Sequence, residues 1–192
     1  MKDQLTMPEP ATQPRISYAS HDTLAPRDQP LFDRLEALRG KPVENIFLAL
    51  ATVPSLCEGV LGMATALRSS TLLDRQLREL AVLVVGLETA SDYEVAHHWN
   101  AAVKAGIPRE KLDCLAEFET SAQFTPHDRA VMRFARAATR SGRIDDRLWD
   151  ELRGFLDDGE RLELVLTVAW YNCVVRILLP LNIQIEDWYQ RL

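Results

Sequence analysis

Glu94 and His98 stand four residues apart in the stretch Ser91–His98, "SDYEVAHH", directly after a long apolar run. That spacing puts both side chains on one face of a helix. A carboxylate beside an imidazole orients the ring and raises its affinity for a proton, so such a pair can accept and release protons near neutral pH. Glu79 is the last carboxylate before the apolar stretch "LAVLVVGL". At the edge of a core it needs a partner or a raised pKa. Either an arginine pairs with it, or it faces the start of the next helix, where Ser91, Glu94 and His98 sit. A purely structural role competes for two of these residues. Ser91-x-x-Glu94 also fits a capping box, in which each side chain satisfies the other residue's backbone N–H. His97 points roughly 100° away around the helix, toward a surface or interface. Asp92, Glu94, His97 and His98 do not put three ligands on one side, so no metal is expected.

The elements that must position these groups read as helices. "PLFDRLEALRG" places Leu31, Phe32, Leu35 and Leu38 on one face and stops at Gly40. "KPVENIFLALATV" follows, and Pro54 opens the next segment. "TLLDRQLRELAVLVVGLETA" starts with Thr71-x-x-Asp74, a capping-box pattern, and is apolar nearly all round from Leu80 to Leu87. "WNAAVKAGIP" closes its helix at Gly106, and "REKLDCLAEF" reads as a short helix. "TPHDRAVMRFARAATRSG" has Thr125 as N-cap, Pro126 at the first helical position and Gly142 after the end. "DDRLWDELRGFL" is a further amphipathic piece. A long apolar helix, "GERLELVLTVAWYNCVVRILLPLN", is expected to stop at Pro180. Trp170, Tyr171 and Asn172 interrupt it, as an aromatic patch at a contact or as a pocket wall facing His98. Arg176 within it reads as paired with a carboxylate, Glu163 or Asp187. No alternating strand pattern flanked by turns is present, so the fold class is all-α with about eight helices. Residues 1–30 differ: Pro8, Pro10, Pro14, Pro26 and Pro30 are half of the chain's 10 prolines. They form a proline-rich arm, either a loose tail or an extended strip across a partner subunit, ahead of a helical domain at 31–192.

Bulk properties narrow the function classes. With 192 residues the chain can bury a core without disulfides or metal. A net charge of −6 argues against a nucleic-acid binder. The cysteines, Cys57, Cys114 and Cys173, lie far apart and form no CxxC, so neither a zinc site nor a redox pair is visible. No apolar signal core opens the sequence, and no uninterrupted apolar run is long enough to cross a bilayer. These features lead to the expectation of a cytoplasmic protein without membrane or nucleic-acid partners.

The segment "RELAVLVVGLETASDYEVAHHWNAAVKAG" resembles the carboxymuconolactone decarboxylase family, which shares its fold with the alkyl hydroperoxidase D proteins. The shared pattern is Arg78-Glu79-Leu80, then Tyr93-Glu94, His98, Ala102 and Gly106, with looser similarity over residues 42–185. The resemblance implies an AhpD-like fold and a homo-oligomer, a trimer or hexamer. The peroxidase branch has Cys-x-x-Cys-x-x-x-His here. Those cysteine positions are Ser91 and Glu94 in this chain, while the relay positions Glu79 and His98 are kept. Serine is far less acidic than a thiol and forms no disulfide. The resemblance therefore implies a cysteine-independent lyase or isomerase, without cofactor, acting on a small carboxylated or lactone compound. His98 is the main acid–base group on this reading, Glu94 its orienter or partner, and Glu79 a second relay. Ser91, Tyr93, Trp170 and Arg176 are candidate substrate contacts. A polyanionic lactone needs cations, and Arg68, Arg75, Arg78 and Arg176 are the candidates. Val95 stands where the family commonly has tryptophan. A thiol peroxidase and a non-catalytic binding protein on the same fold are the alternatives.

Overall fold

A computed structural model describes residues 13–192. The arm's first part, with Pro8 and Pro10, lies outside the described residues. Among the described residues nine α-helices run in order: α1 Gln29–Arg39, α2 Asn45–Leu50, α3 Pro54–Ser69, α4 Arg75–Glu88, α5 Asp92–Lys104, α6 Arg109–Leu112, α7 Pro126–Ser141, α8 Asp146–Arg153 and α9 Asp158–Leu181. Two short 3-10 turns, His21–Thr23 and Leu115–Glu117, complete the secondary structure. The fold is all-α.

α4 is the central rod. Leu80 through Gly86 are buried, as the all-round apolar pattern requires. α5, α7 and α9 pack around it. Their side chains form one apolar cluster with Trp99, Phe118, Met132 and Leu164. A second cluster gathers α1, α2 and α3 with Tyr93, Val174 and Leu178. Ala19 and Leu24, ahead of α1, are buried in that second cluster, and the Arg15 and Ala19 amides donate to the carbonyls of Leu181 and Leu48.

Helix ends follow local chemistry, with three departures from the sequence expectations. Thr125 caps α7 in a reciprocal box with Asp128, with Pro126 at the first helical position and Gly142 in the left-handed conformation at the end. Thr71 does not cap α4; the Asp74 carboxylate does, accepting from the amides of Gln76 and Leu77. Pro180 does not stop α9, which runs on to Leu181. The terminator is Asn182, left-handed at φ 51°, with the Ile183 amide returning to the Leu178 carbonyl. α9 is 24 residues long, and its most apolar 18-residue window has mean hydropathy 1.8, enough by length and composition to cross a membrane. Its inner face instead packs on α4 and α7, carrying Glu163, Thr167 and Val168 into the interior. The third departure, at Ser91, shapes the site.

Candidate functional site

The turn between α4 and α5 sets the geometry. Ala90 is left-handed at φ 52°, the Ser91 amide donates to the Gly86 carbonyl at 2.9 Å, and the Ala90 amide donates to Leu87 at 3.2 Å. This is a Schellman closure of α4. It occupies the Ser91 N–H, the donor that a capping-box Glu94 would have to satisfy. The capping box is therefore not made. The Ser91 hydroxyl makes no cap bond and is buried without a partner, and Glu94 turns inward instead. Gly86 permits the close approach: a Cβ there would lie 2.9 Å from Val95 Cγ2 and 3.3 Å from Glu94 Cβ.

Glu79, Glu94 and His98 converge. His98 Nδ1 lies 2.7 Å from a Glu79 carboxylate oxygen. On the other side of the ring, Nε2 lies 3.4 Å from Glu94 Oε2, within ion-pair reach but outside hydrogen-bond geometry. Glu79 and Glu94 are 6% and 4% exposed. The Tyr171 ring meets the imidazole edge-on at 4.6 Å between centroids.

The two carboxyls titrate in opposite directions. Burial alone would raise Glu79, but the charge and hydrogen bond of His98, with Arg78 and Arg75, outweigh it and hold Glu79 below the ordinary value. Burial dominates at Glu94 and raises it, despite His98 and His97. A pair of carboxyls pushed apart in this way supplies one base and one acid. An ionised Glu79 accepts from His98 Nδ1–H, and Glu94 stands on the Nε2 side of the ring with its charged form disfavoured. Burial also raises the Tyr171 hydroxyl, with Glu94 and Glu79 adding to it.

These groups open onto a cavity of about 890 Å³ at the seam between the two apolar clusters. Helices α3, α4, α5 and α9 line it, together with the residues around α2 and the C-terminal segment. Of the candidate contacts, Tyr93 and Trp170 are on its wall. Ser91 is not among the lining residues, because it lies under the turn. Arg176 is also elsewhere. Its guanidinium donates to the carbonyl and side-chain oxygen of Asn172, with neither Glu163 nor Asp187 as partner, and it lines a separate cleft of about 660 Å³. The reason is register: Arg176 sits on the outer face of α9, whereas Glu163, Thr167 and Tyr171 follow one another every fourth residue on the inner face. Glu163 pairs with Arg78.

A second polar cluster escaped the sequence reading. His97 is not a surface residue; its Nε2 lies 2.7 Å from Glu186, and its ring stacks on Tyr93 at 4.5 Å. Glu186 also accepts from the Tyr93 hydroxyl at 2.5 Å and from the Asn45 amide at 2.7 Å. Burial, the largest single effect, would raise its pKa, but the three donors together hold it below the ordinary value. Tyr93 is pushed up by burial and by Glu186. The C-terminal segment continues along α5, with Tyr189 donating to the Ala96 carbonyl and the Trp99 indole donating to the Leu192 carbonyl. Nothing in the spacing of Glu186 signals this, since its partners lie 89, 93 and 141 residues away.

No cysteine lines the cavity. Cys57 is buried in the second cluster, where burial pushes its thiol up to about 11. Cys114 and Cys173 are free thiols. Among the described residues no group of three His, Cys, Asp or Glu side chains is placed to hold a metal ion.

The sequence model of the carboxymuconolactone decarboxylase family matches residues 54–137. That segment spans α3 to most of α7 and contains the whole Glu79–Glu94–His98 cluster. Solved structures share the AhpD-like fold over most of the chain. An uncharacterized peroxidase-related protein from Ralstonia eutropha JMP134, described as an alkylhydroperoxidase AhpD core, is 19% identical, with TM-score 0.79, over 92% of this chain and 94% of that one. A peroxidase-related protein from Silicibacter sp. TM1040 is 18% identical with TM-score 0.78, over 95% and 97%. A variant of the debrominase Bmp8 in complex with 2,3,4-tribromopyrrole is 21% identical with TM-score 0.77, over 91% and 95%. No curated protein sequence matches the chain.

Proposed function

We propose that this carboxymuconolactone decarboxylase-like chain is a cysteine-independent acid–base enzyme, a lyase or isomerase, acting on a small carboxylated or lactone compound. One observation carries the reading. His98 is anchored at Nδ1 by a depressed carboxylate and faces a raised carboxyl at Nε2, in an open cavity lined by no thiol. A relay of this kind moves protons without redox chemistry. In a decarboxylation, the bond between the substrate carbon and its carboxylate breaks, and the electron pair passes into an adjacent carbonyl as an enolate. Glu94 then delivers its proton to that carbon, and His98 and Glu79 re-protonate Glu94 from solvent. In an isomerisation the same groups remove a proton from one carbon and return one to another. Glu79 is the orienter of His98, and Glu94 is the terminal acid.

The cavity volume supports a ligand site in place of a filled shell, since small-molecule pockets are typically about 300–1,000 Å³. Ser91 and Glu94, where a peroxidase would carry its thiols, support the cysteine-independent route. The exposed apolar side chains of Leu162, Leu166 and Leu179 on α9 support assembly of the chain as a homo-oligomer.

The test is deuterium incorporation, followed by proton NMR in D₂O, into a panel of lactone carboxylates and unsaturated small acids. Exchange or carbon dioxide release that His98→Ala abolishes and that survives Ser replacement of all three cysteines is the expected result. Activity that vanishes with any cysteine and persists without His98 refutes the reading.

A further inference from the structure

The relay around His98 holds an acid but no free base. Both nitrogens of that ring face carboxyls, Glu79 at 2.7 Å and Glu94 at 3.4 Å. Giving a proton to carbon needs only the acid. Drawing a proton off carbon needs a basic atom with an open lone pair. The same cavity wall carries a second imidazole, His97, next to His98 in sequence and about 100° around α5 from it.

His97 is held as a base is held. Its Nε2 lies 2.7 Å from Glu186, which also accepts from the Tyr93 hydroxyl at 2.5 Å and the Asn45 amide at 2.7 Å. A carboxyl that takes three donors is an ionised one, so the His97 ring carries a proton on Nε2. Nδ1 makes no hydrogen bond among the described residues. The ring stacks on Tyr93 at 4.5 Å between centroids and meets Tyr189 at 5.4 Å. His97, Tyr93 and Tyr189 line the cavity and Glu186 does not, so the bonded nitrogen is turned away from the ligand space. The His97 side chain is 20% exposed and that of Glu186 only 2%. A buried carboxylate that fixes the tautomer of an imidazole, and leaves its other nitrogen open at a cavity wall, makes a general base. Fastening the C-terminal segment to α5 would need only an N–H at position 97, which an amide side chain supplies as well.

We propose that His97 is a further catalytic residue, the general base of an isomerisation in which Glu94 is the acid. Nδ1 takes a proton from the carbon beside a substrate carbonyl, and the C–H electron pair passes into a conjugated enolate. Glu94 gives its proton to the far carbon of that enolate, and the double bond is displaced. The His97 imidazolium then releases its proton to solvent and Glu94 regains one, so the chain is restored and the product is an isomer of the substrate. Decarboxylation, in which the breaking bond to carbon dioxide supplies the electron pair, has no use for this base. The inference rests on the acid–base reading above and selects isomerisation within it.

The probe is α-angelica lactone, an uncharged lactone whose double bond is out of conjugation with its carbonyl. Its isomer, β-angelica lactone, is conjugated and absorbs in the ultraviolet. Proton NMR in D₂O follows exchange at the carbon beside the carbonyl, and absorbance follows the double-bond shift. Wild type should catalyse both above the buffer background. His97→Gln keeps an N–H for Glu186 and removes the basic nitrogen. It should melt with wild type, yet slow both processes by about 10²–10⁴-fold. The rise of rate with pH on the acid side of the wild-type profile should vanish with it. Glu94→Gln should slow the shift more than the exchange. NMR of the full chain labelled with ¹⁵N-histidine should show the neutral His97 ring protonated at Nε2 and bare at Nδ1. The opposite tautomer overturns the proposal, whether or not the variant folds. So does a wild type that exchanges no deuterium into the probe, or a His97→Gln variant that keeps the rate and its pH profile. Carbon dioxide release that His98→Ala abolishes and His97→Gln leaves intact overturns this inference and keeps the acid–base reading. Isomerisation lost in His97→Gln and kept in His98→Ala does the reverse.

Discussion

Replacing Glu79 and Glu94 one at a time by glutamine should change stability in opposite directions, because the fold pushes their pKa values apart. Glu79 is depressed below its reference of 4.5, so its contribution to stability is present above that pH and fades as pH falls through the folded value. Glu79→Gln turns a charge-assisted hydrogen bond to His98 into a neutral one. That should cost about 1–2 kcal/mol at pH 7 and less in acid. For a chain of this length it lowers Tm by about 2–8 °C. Glu94 is raised above 4.5, so its contribution is fully present below that pH and is lost as pH rises through the folded value. Between those two values the folded chain keeps a proton that the unfolded chain releases, and stability falls by about 1.4 kcal/mol per pH unit. Glutamine has no such proton. Glu94→Gln should therefore gain on wild type by about 3–6 °C per pH unit above 4.5, until the folded pKa of Glu94 is passed. Thermal melts of the three proteins from pH 4 to pH 9 measure this directly. Both variants should lose turnover by about 10²–10⁴-fold. A Glu94→Gln variant that becomes progressively less stable than wild type as pH rises would mean that Glu94 is ionised and paired with His98. The assignment of Glu94 as the acid would then be wrong.

Further perturbations test the positioning elements. Gly86→Ala sets a methyl 2.9 Å from Val95 Cγ2 and 3.3 Å from the Val95 amide nitrogen, so α5 must shift; a loss of about 1–3 kcal/mol in denaturant melts is expected, with a larger relative loss of turnover. Ala90→Gly relieves a left-handed alanine at φ 52°, against a more flexible unfolded chain, and should raise stability by about 0.5–1 kcal/mol. Glu186→Ala leaves the Tyr93 hydroxyl and the Asn45 amide without their acceptor and should cost about 2–4 kcal/mol, with faster hydrogen exchange along residues 183–192. Leu166→Glu places a charge on the exposed apolar face of α9 and should reduce the mass seen by light scattering; a wild-type mass of a single 21.8 kDa chain would remove the case for assembly.

The helical frame was legible because most of it follows local rules. The period of apolar residues identified the all-α class, and the Thr125–Pro126 start and Gly142 end of α7 could be read residue by residue. Glu79, Glu94 and His98 were legible as a group through their spacing and through the motif that carries them. Three features were not. Asp74 displaced Thr71 as the cap of α4, because two residues with capping side chains stood within reach and only packing chose between them. Arg176 read as a partner for Glu163 or Asp187, but the faces of α9 are set by what packs on it, and the arginine fell on the outer one. The Tyr93–Glu186–His97 cluster depends on the C-terminal segment folding back along α5, a contact that no local pattern encodes.

The Ser91–Glu94 misreading is the more instructive case, because the capping-box pattern is real and the chain does not use it. A box would have tied the Glu94 carboxylate to the backbone at the helix entrance. The preceding helix closes through its own turn and takes the Ser91 N–H, at the expense of a left-handed alanine and an unpartnered serine hydroxyl. That leaves Glu94 with no structural task in a place where burial disfavours its charge. Gly86 lets the α5 backbone come near enough for the carboxyl to meet the imidazole. Strain in the turn, an unsatisfied hydroxyl and a glycine inside an apolar helix each weaken the fold locally. All three fall within six residues and converge on the position of Glu94, which supports the acid role proposed for it, since a sequence gives up stability where it places a working group.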